Sequence, residues 1–146
     1  MASDDSFTQM VFFVTSIIVA VSIAGTIIGV TGLMAEEIRS KANDAASEMS
    51  SSIVFVNDPR QVPYENGTIT FYIKNNGEMV QSYQQLIIFI DGEFTEFDAR
   101  VTSSSGENWV TGGVIEVTAS IVLAEGDHTA KAILANGVSD TLDFRL

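Results

Sequence analysis

Chemistry needs a side chain that can trade a proton, attack a carbon or hold a metal, and this chain offers few. Its one histidine, His128, opens an alternating run after Glu125-Gly126-Asp127, and the chain has no cysteine. No Gly-x-Ser-x-Gly turn presents a serine nucleophile. His128 therefore reads as a surface residue. Four acids, Asp91, Glu93, Glu96 and Asp98, fall close together, but not at the spacing of a calcium-binding loop. Alternation along a hairpin would also divide them between two faces. No glycine-rich loop stands ready to cradle a phosphate. The one modification signal is Asn66-Gly67-Thr68, an N-x-T acceptor for glycosylation, usable only outside the cytoplasm. These residues describe a protein that is no enzyme and takes no metal or cofactor.

Charge narrows the partners. The net charge is −12 over 146 residues, the wrong sign for replacing counterions on nucleic acid. From residue 53 onward there are thirteen acids against five bases. Such a head is repelled by anionic lipid headgroups and should stand off a bilayer.

The elements that hold these residues fall into three segments. The first, residues 1–35, contains a 26-residue stretch, Met10 to Ala35, without one charge. A helix of about 20 apolar residues crosses the ~30 Å hydrocarbon core of a bilayer, so this segment predicts a membrane helix. A cleaved signal would want a basic start and a shorter apolar run; here two aspartates precede the run. Within it Gly25 and Gly29 form a GxxxG, with Gly32 extending the small face and Ser22 preceding it. Small residues of this kind let transmembrane helices pack closely. The second segment, residues 36–50, places Ile38, Ala42, Ala45 and Met49 on one helical stripe. It predicts a helical stalk of about 20 Å at 1.5 Å per residue, ended by Ser50, Ser51 and Ser52.

From residue 51 to 146 the period becomes two. "IVFV", "TITFYIK", "QLIIFI", "FTEFDARV", "VIEVTASIVL", "HTAKAIL" and "VSDTLDFRL" read as strands, with the alternation plainest in "TITFYIK" and "FTEFDARV". Asn66-Gly67, Asn76-Gly77, Asp91-Gly92 and Asn136-Gly137 lie between the runs as tight hairpin turns. Short strands at this spacing predict an all-β immunoglobulin-like sandwich. The predicted fold is thus a long N-terminal helix followed by a β-sandwich head.

One combination of residues is more specific than the rest. The apolar "QMVFFVTSIIVAVSIAGTIIGV" is followed by Asn57-Asp58-Pro59, Val62-Pro63-Tyr64, the strand Phe71-Tyr72-Ile73-Lys74-Asn75 and the turn Asp91-Gly92. Over residues 9–97 this pattern resembles the FlaG family of archaeal flagellar (archaellum) proteins. The resemblance implies a non-enzymatic stator that ties the archaellum motor to the surface layer, with a FlaF-like sister protein and a surface-layer protein as partners. It also implies a single-pass location in the cytoplasmic membrane, with the head on the outer side beneath the surface layer. Open sandwiches leave unpaired edges, so a homo-oligomer or filament-like assembly is expected, with Val62 to Tyr64 as a candidate edge.

The helix is also similar to that of archaellins, the filament subunits built on a type IV pilin plan. Those carry a basic leader ending in Lys/Arg-Gly, and residues 1–9 hold neither a base nor a glycine. A filament subunit is therefore the second reading, and an anchored adhesin or binding sandwich the third. Arg39 and Lys41 follow the span while no base precedes it, which by the positive-inside rule alone would put the head in the cytoplasm. The glycosylation acceptor and the family resemblance both point outward, and outward is the orientation adopted.

The change of period yields a direct test. Residues 51–146 expressed alone should give a sheet-type circular dichroism spectrum with essentially no helix. A helical or unfolded spectrum would move the boundary.

Overall fold

The structure, a computed structural model, describes residues 2–102 and 108–146, with side chains from residue 5 onward. Between "FTEFDARV" and "VIEVTASIVL" the sequence "TSSSGENW" predicts a loop, of which residues 103–107 lie outside the described residues. The chain divides into two compact units, 1–43 and 44–146.

The first unit is the greater part of helix α1 (Ala2–Ser50). Its large apolar side chains, from Phe7 to Ile38, are exposed. Among the described residues this is the one helix long and apolar enough to cross a membrane. Hydroxyls inside the apolar stretch do not need water. Thr15, Ser16, Ser22, Thr26 and Thr31 each donate to the carbonyl four residues back, at 2.7–2.9 Å. Each polar group is thereby satisfied within the helix, as a lipid-facing segment requires.

The second unit is the sandwich, together with the last turns of α1. Its strands are β1 (Ile53–Phe55), β2 (Tyr64–Glu65), β3 (Thr68–Asn75), β4 (Ile87–Ile90), β5 (Glu93–Phe94), β6 (Phe97–Val101), β7 (Val114–Ser120), β8 (Asp127–Ile133) and β9 (Ser139–Arg145). One sheet runs β1-β3-β7-β6, with β2 beside β1 on the same edge of β3; the other runs β5-β4-β8-β9. Every pairing is antiparallel. This is the two-sheet, immunoglobulin-like sandwich that the alternation predicts.

Period two decides which side chains enter the core. On β3, Ile69, Phe71, Ile73 and Asn75 are buried while Thr68, Thr70, Tyr72 and Lys74 face outward. Phe71 is the centre of the packing. Its ring meets Phe55 edge-on at 5.6 Å and Phe144 edge-on at 5.7 Å, joining β1, β3 and β9. The two sheets are also stitched along one side. The Phe55 N–H donates to Asp140 Oδ2 at 2.8 Å, and the Arg145 N–H to the Pro59 carbonyl at 3.1 Å.

The structure revises four local expectations. "FTEFDARV" is two strands, because the chain leaves one sheet after Phe94 and joins the other at Phe97. "QLIIFI" becomes strand only at Ile87, after a 3-10 turn over Tyr83–Gln85. β7 ends at Ser120, and Ile121–Leu123 belongs to the crossing toward β8. Asn66-Gly67 and Asp91-Gly92 are tight turns, with φ of 51° and 75° and of 53° and 83°. Asn76-Gly77 is not, since neither residue takes a positive φ.

Phe71→Ala removes the ring that both sheets share. It should cost about 3–5 kcal/mol, the usual range for a buried aromatic, read as a lower urea midpoint of the folded chain. A loss below about 1 kcal/mol would mean that the Phe55–Phe71–Phe144 stack is not the centre of the core.

Candidate functional site

The end of α1 carries a network of polar contacts within the second unit. A helix leaves its last carbonyls without partners inside itself, and here the sandwich supplies donors. Glu78 N–H reaches the Ser50 carbonyl at 2.9 Å. Asn76 and Gly77 N–H both reach the Ser52 carbonyl, at 2.9 and 3.0 Å. From the other sheet, the Asn136 side-chain amide donates to the Ser51 hydroxyl at 2.8 Å and to the Ser47 carbonyl at 3.3 Å. Gln81 Nε2 adds a bond to the same Ser51 hydroxyl at 2.9 Å, and that hydroxyl in turn donates to the Ser47 carbonyl at 2.7 Å. The serine run therefore does more than stop a helix. It is held by loops from both sheets.

Gly77 shows how tight the fit is. A Cβ placed there would lie 2.6 Å from the Ser52 nitrogen and 2.7 Å from the Ser50 carbonyl oxygen. Those are backbone atoms and cannot rotate away. The glycine of Asn76-Gly77 is required for close approach, not for a left-handed turn.

Beneath it lies Asn75, fully buried and fully bonded. Its Nδ2 donates to the carbonyls of Met79 at 2.8 Å and Trp109 at 3.0 Å, and its Oδ1 accepts the Gly77 N–H at 3.0 Å. Trp109, also fully buried, donates its indole N–H to the Gly113 carbonyl at 2.9 Å. Asn75 thus fixes the loop that grips the helix, and Trp109 fills the space under it. Sequence reading did not single out either residue for this role. The signal was present for Asn75, which falls in phase with Ile69, Phe71 and Ile73 on the buried face of β3.

The motif residues prove to be connectors between strands. Where β1 leaves the sheet, Asn57 continues the pairing with its side chain. Its Oδ1 accepts Tyr72 N–H at 2.6 Å, and its Nδ2 donates to the Thr70 carbonyl at 3.0 Å. Asp58 Oδ1 accepts Arg60 N–H at 2.9 Å in a side-chain turn, and Pro59 offers the carbonyl that Arg145 meets. Val62 is buried, the Pro63 carbonyl accepts Thr70 N–H at 3.0 Å, and Tyr64 begins the short edge strand β2. The Tyr64 hydroxyl donates to the Ile121 carbonyl at 3.3 Å and accepts Leu123 N–H at 3.0 Å.

The remaining candidates lie apart. Ser22, Gly25, Gly29 and Gly32 are on α1, and among the described residues nothing beyond the adjoining stretch of helix lies within 4 Å of a Cβ added at any of the three glycines. Asn66 is exposed at the β2–β3 turn, at the end of β3 opposite Asn75. Among the described residues, no three His, Asp or Glu side chains converge as a metal site.

His128 differs from the bare surface residue expected, since its side chain is only 11% exposed. Nδ1 lies 2.7 Å from Asp91 Oδ2, and Nε2 lies 2.8 Å from the Ala124 carbonyl oxygen. The Ala124 carbonyl, then the Asp91 carboxylate, hold its pKa above the ordinary 6.5, against the opposing effect of burial. Asp91 is held below its ordinary 3.8 by the Thr129 N–H and then by His128, again against burial.

Comparison with known proteins places this arrangement. The family model for archaeal-type flagellin matches residues 5–144. Flagella-related protein G of Methanocaldococcus jannaschii is 25% identical over 142 residues, covering 94% of this chain and 92% of that protein. Among solved structures, a chain of the archaellum periplasmic stator protein complex FlaF and FlaG from Sulfolobus acidocaldarius aligns with a TM-score of 0.45. It is 19% identical, over 61% of this chain and 90% of that one. The first two matches run through helix and sandwich alike and bear out the resemblance read from the sequence.

Gly77→Ala should force the loop off the helix end and destabilise the fold by about 1–3 kcal/mol, as overpacking against unyielding atoms does. The same change at Gly92, where φ is 83° but nothing crowds the position, should cost about 1 kcal/mol from backbone strain alone. Thermal denaturation of the two variants side by side checks the order; equal losses would refute the crowding at Gly77.

Proposed function

The chain belongs to the archaeal-type flagellin family, and from that premise we propose that it is a non-enzymatic, membrane-anchored component of the archaellum motor. In this reading α1 holds the protein in the cytoplasmic membrane, and the sandwich stands on the outer side. The sandwich couples the motor to surface-layer protein as a stator, with a FlaF-like sister as its partner. Copies associate further into a homo-oligomer or filament-like assembly. The small face of Ser22, Gly25, Gly29 and Gly32 serves helix–helix contact in the bilayer, and Asn66 is a glycan acceptor on the exposed head.

The observation that carries this reading is the grip on the end of α1. A stator holds its ground against a reaction torque, so the joint between anchor and head must not swivel. A free polypeptide linker would rotate about its backbone bonds and dissipate the load. Here donors from the Asn75–Gln81 segment and from Asn136 bind Ser47, Ser50, Ser51 and Ser52 at once. Twist in the helix is thereby passed to both sheets. The match to flagella-related protein G over nearly its whole length supports the same reading.

A filament subunit remains the second reading, favoured by the family description itself, which names flagellin. The two place the protein differently. A stator stays with the cell envelope when filaments are sheared away, whereas a filament subunit leaves with them.

Tags before Met1 and after Leu146 allow one experiment to address both points. Protease treatment of spheroplasts should remove the C-terminal tag and spare the N-terminal one, and sheared filaments should contain no tagged protein. Loosening the grip with Asn136→Ala and Gln81→Ala should leave the protein in the envelope and lower swimming speed most in viscous medium. Protection of the C-terminal tag, or recovery of the protein in sheared filaments, would overturn the stator.

A further inference from the structure

At the end of the sandwich away from Asn75, the segment Ile121–Gly126 carries the chain from β7 in one sheet to β8 in the other. It is pinned from two sides. Tyr64 holds Ile121 and Leu123 from β2, and His128 holds Ala124 from β8. The second pin has unusual chemistry. A neutral imidazole has one N–H and one lone pair, yet both ring nitrogens of His128 face atoms that can only accept. One is the Ala124 carbonyl and the other the ionised Asp91 carboxylate, which also takes the Thr129 N–H on its second oxygen at 2.9 Å. Turning the ring over would put carbons against both oxygens. The observed contacts are complete only when both nitrogens carry protons.

We propose that His128 is a protonation-dependent latch on the Ile121–Gly126 crossing, closed by the imidazolium and released when it loses one proton. On deprotonation the remaining N–H stays with the charged acceptor, Asp91. The Nε2 lone pair is then left against the Ala124 carbonyl, and that side of the crossing is freed. Tyr64 keeps its own contacts, so the opening is local.

The charged surroundings favour the closed form over a definite range. Asp91 faces the ring from the β4–β5 turn, and Asp127 lies beside it on β8. Asp143 and Arg145 approach from β9, and Arg60 from the β1–β2 connection, along a shared groove. Arg145 is paired with Asp127 at 3.5 Å and Asp143 with the Thr129 hydroxyl at 2.8 Å, so neither is directed at the ring. His128 is raised above 6.5 in the folded chain, so its contribution is full below that value and fades as pH rises through the folded pKa. Asp91 is lowered below 3.8, so its contribution is full above that value and fades as pH falls through its folded pKa. The latch is therefore closed in mildly acidic solution and opens as pH rises through the folded pKa of His128, above 6.5.

His128 is the chain's one histidine, so labelling histidine with nitrogen-15 in the full chain, held in detergent micelles, gives an unambiguous signal. Both ring nitrogens should be protonated at about pH 5, well under the ordinary histidine value, and the titration midpoint should lie above 6.5. Asp91→Asn should move the midpoint down. Hydrogen exchange of the 121–127 peptide, corrected for intrinsic base catalysis, should rise about fivefold through the same midpoint, the worth of one hydrogen bond. That step should be absent in His128→Gln and should shift with the midpoint in Asp91→Asn. A midpoint at or below 6.5, or an exchange step that survives in His128→Gln or stays in place in Asp91→Asn, would overturn the latch.

Discussion

An α-helix cannot stop without handing its last carbonyls to new donors, and much of the sandwich is arranged around that obligation. The loop after β3 turns toward Ser50 and Ser52, whose carbonyls accept the N–H groups of Asn76, Gly77 and Glu78. Asn75 is buried at the end of β3 because something must hold that loop in shape, and a carboxamide can donate twice and accept once from one position. Trp109 lies under the same loop. Asn136 brings the second sheet to the same place, so the two sheets are joined to the helix and not only to each other. Remove the end of α1 and the side-chain amides of Gln81 and Asn136 lose their acceptors.

The alternation of the head was legible because burial on a sheet has period two and little else does. Ile69, Phe71 and Ile73 announce the core face of β3, and Asn66-Gly67 and Asp91-Gly92 announce their turns because few other pairs accept two positive φ angles. The same dipeptide at Asn76-Gly77 was misread. Its glycine answers to Ser50 and Ser52, some 25 residues away in sequence, and a local pattern holds no record of such a neighbour. His128 was misread for the same reason, since Asp91 reaches it from another hairpin. The break inside "FTEFDARV" was equally invisible, because both halves alternate correctly and only the choice of sheet changes. The motif residues were visible as a pattern but not as mechanics. Nothing in "NDP" says that the asparagine side chain will replace a strand's backbone.

Polar groups in the two units obey one rule through different means. In the apolar stretch of α1, hydroxyls return to carbonyls of their own helix and so would need no partner from lipid. In the sandwich, the buried asparagine and indole reach across loops, and among the described residues no buried side-chain nitrogen or oxygen is left unbonded. With no cysteine in the chain, covalent cross-links contribute nothing. Specific hydrogen bonding at the helix exit and aromatic packing around Phe71 take their place.

The direction of β3 has a mechanical consequence. The strand ends in the loop that grips α1, and its neighbour β7 ends at Ser120 beside the opposite end of β3, so a pull between Ser120 and the gripped end of the helix runs along the strand axis. Its seven pairings with β7, from Thr68 with Ser120 to Lys74 with Val114, lie crosswise to such a pull. They are loaded together in shear and must fail together, whereas a pull across the strands would unzip them one at a time. The sandwich therefore resists a pull along its strands better than a pull across them.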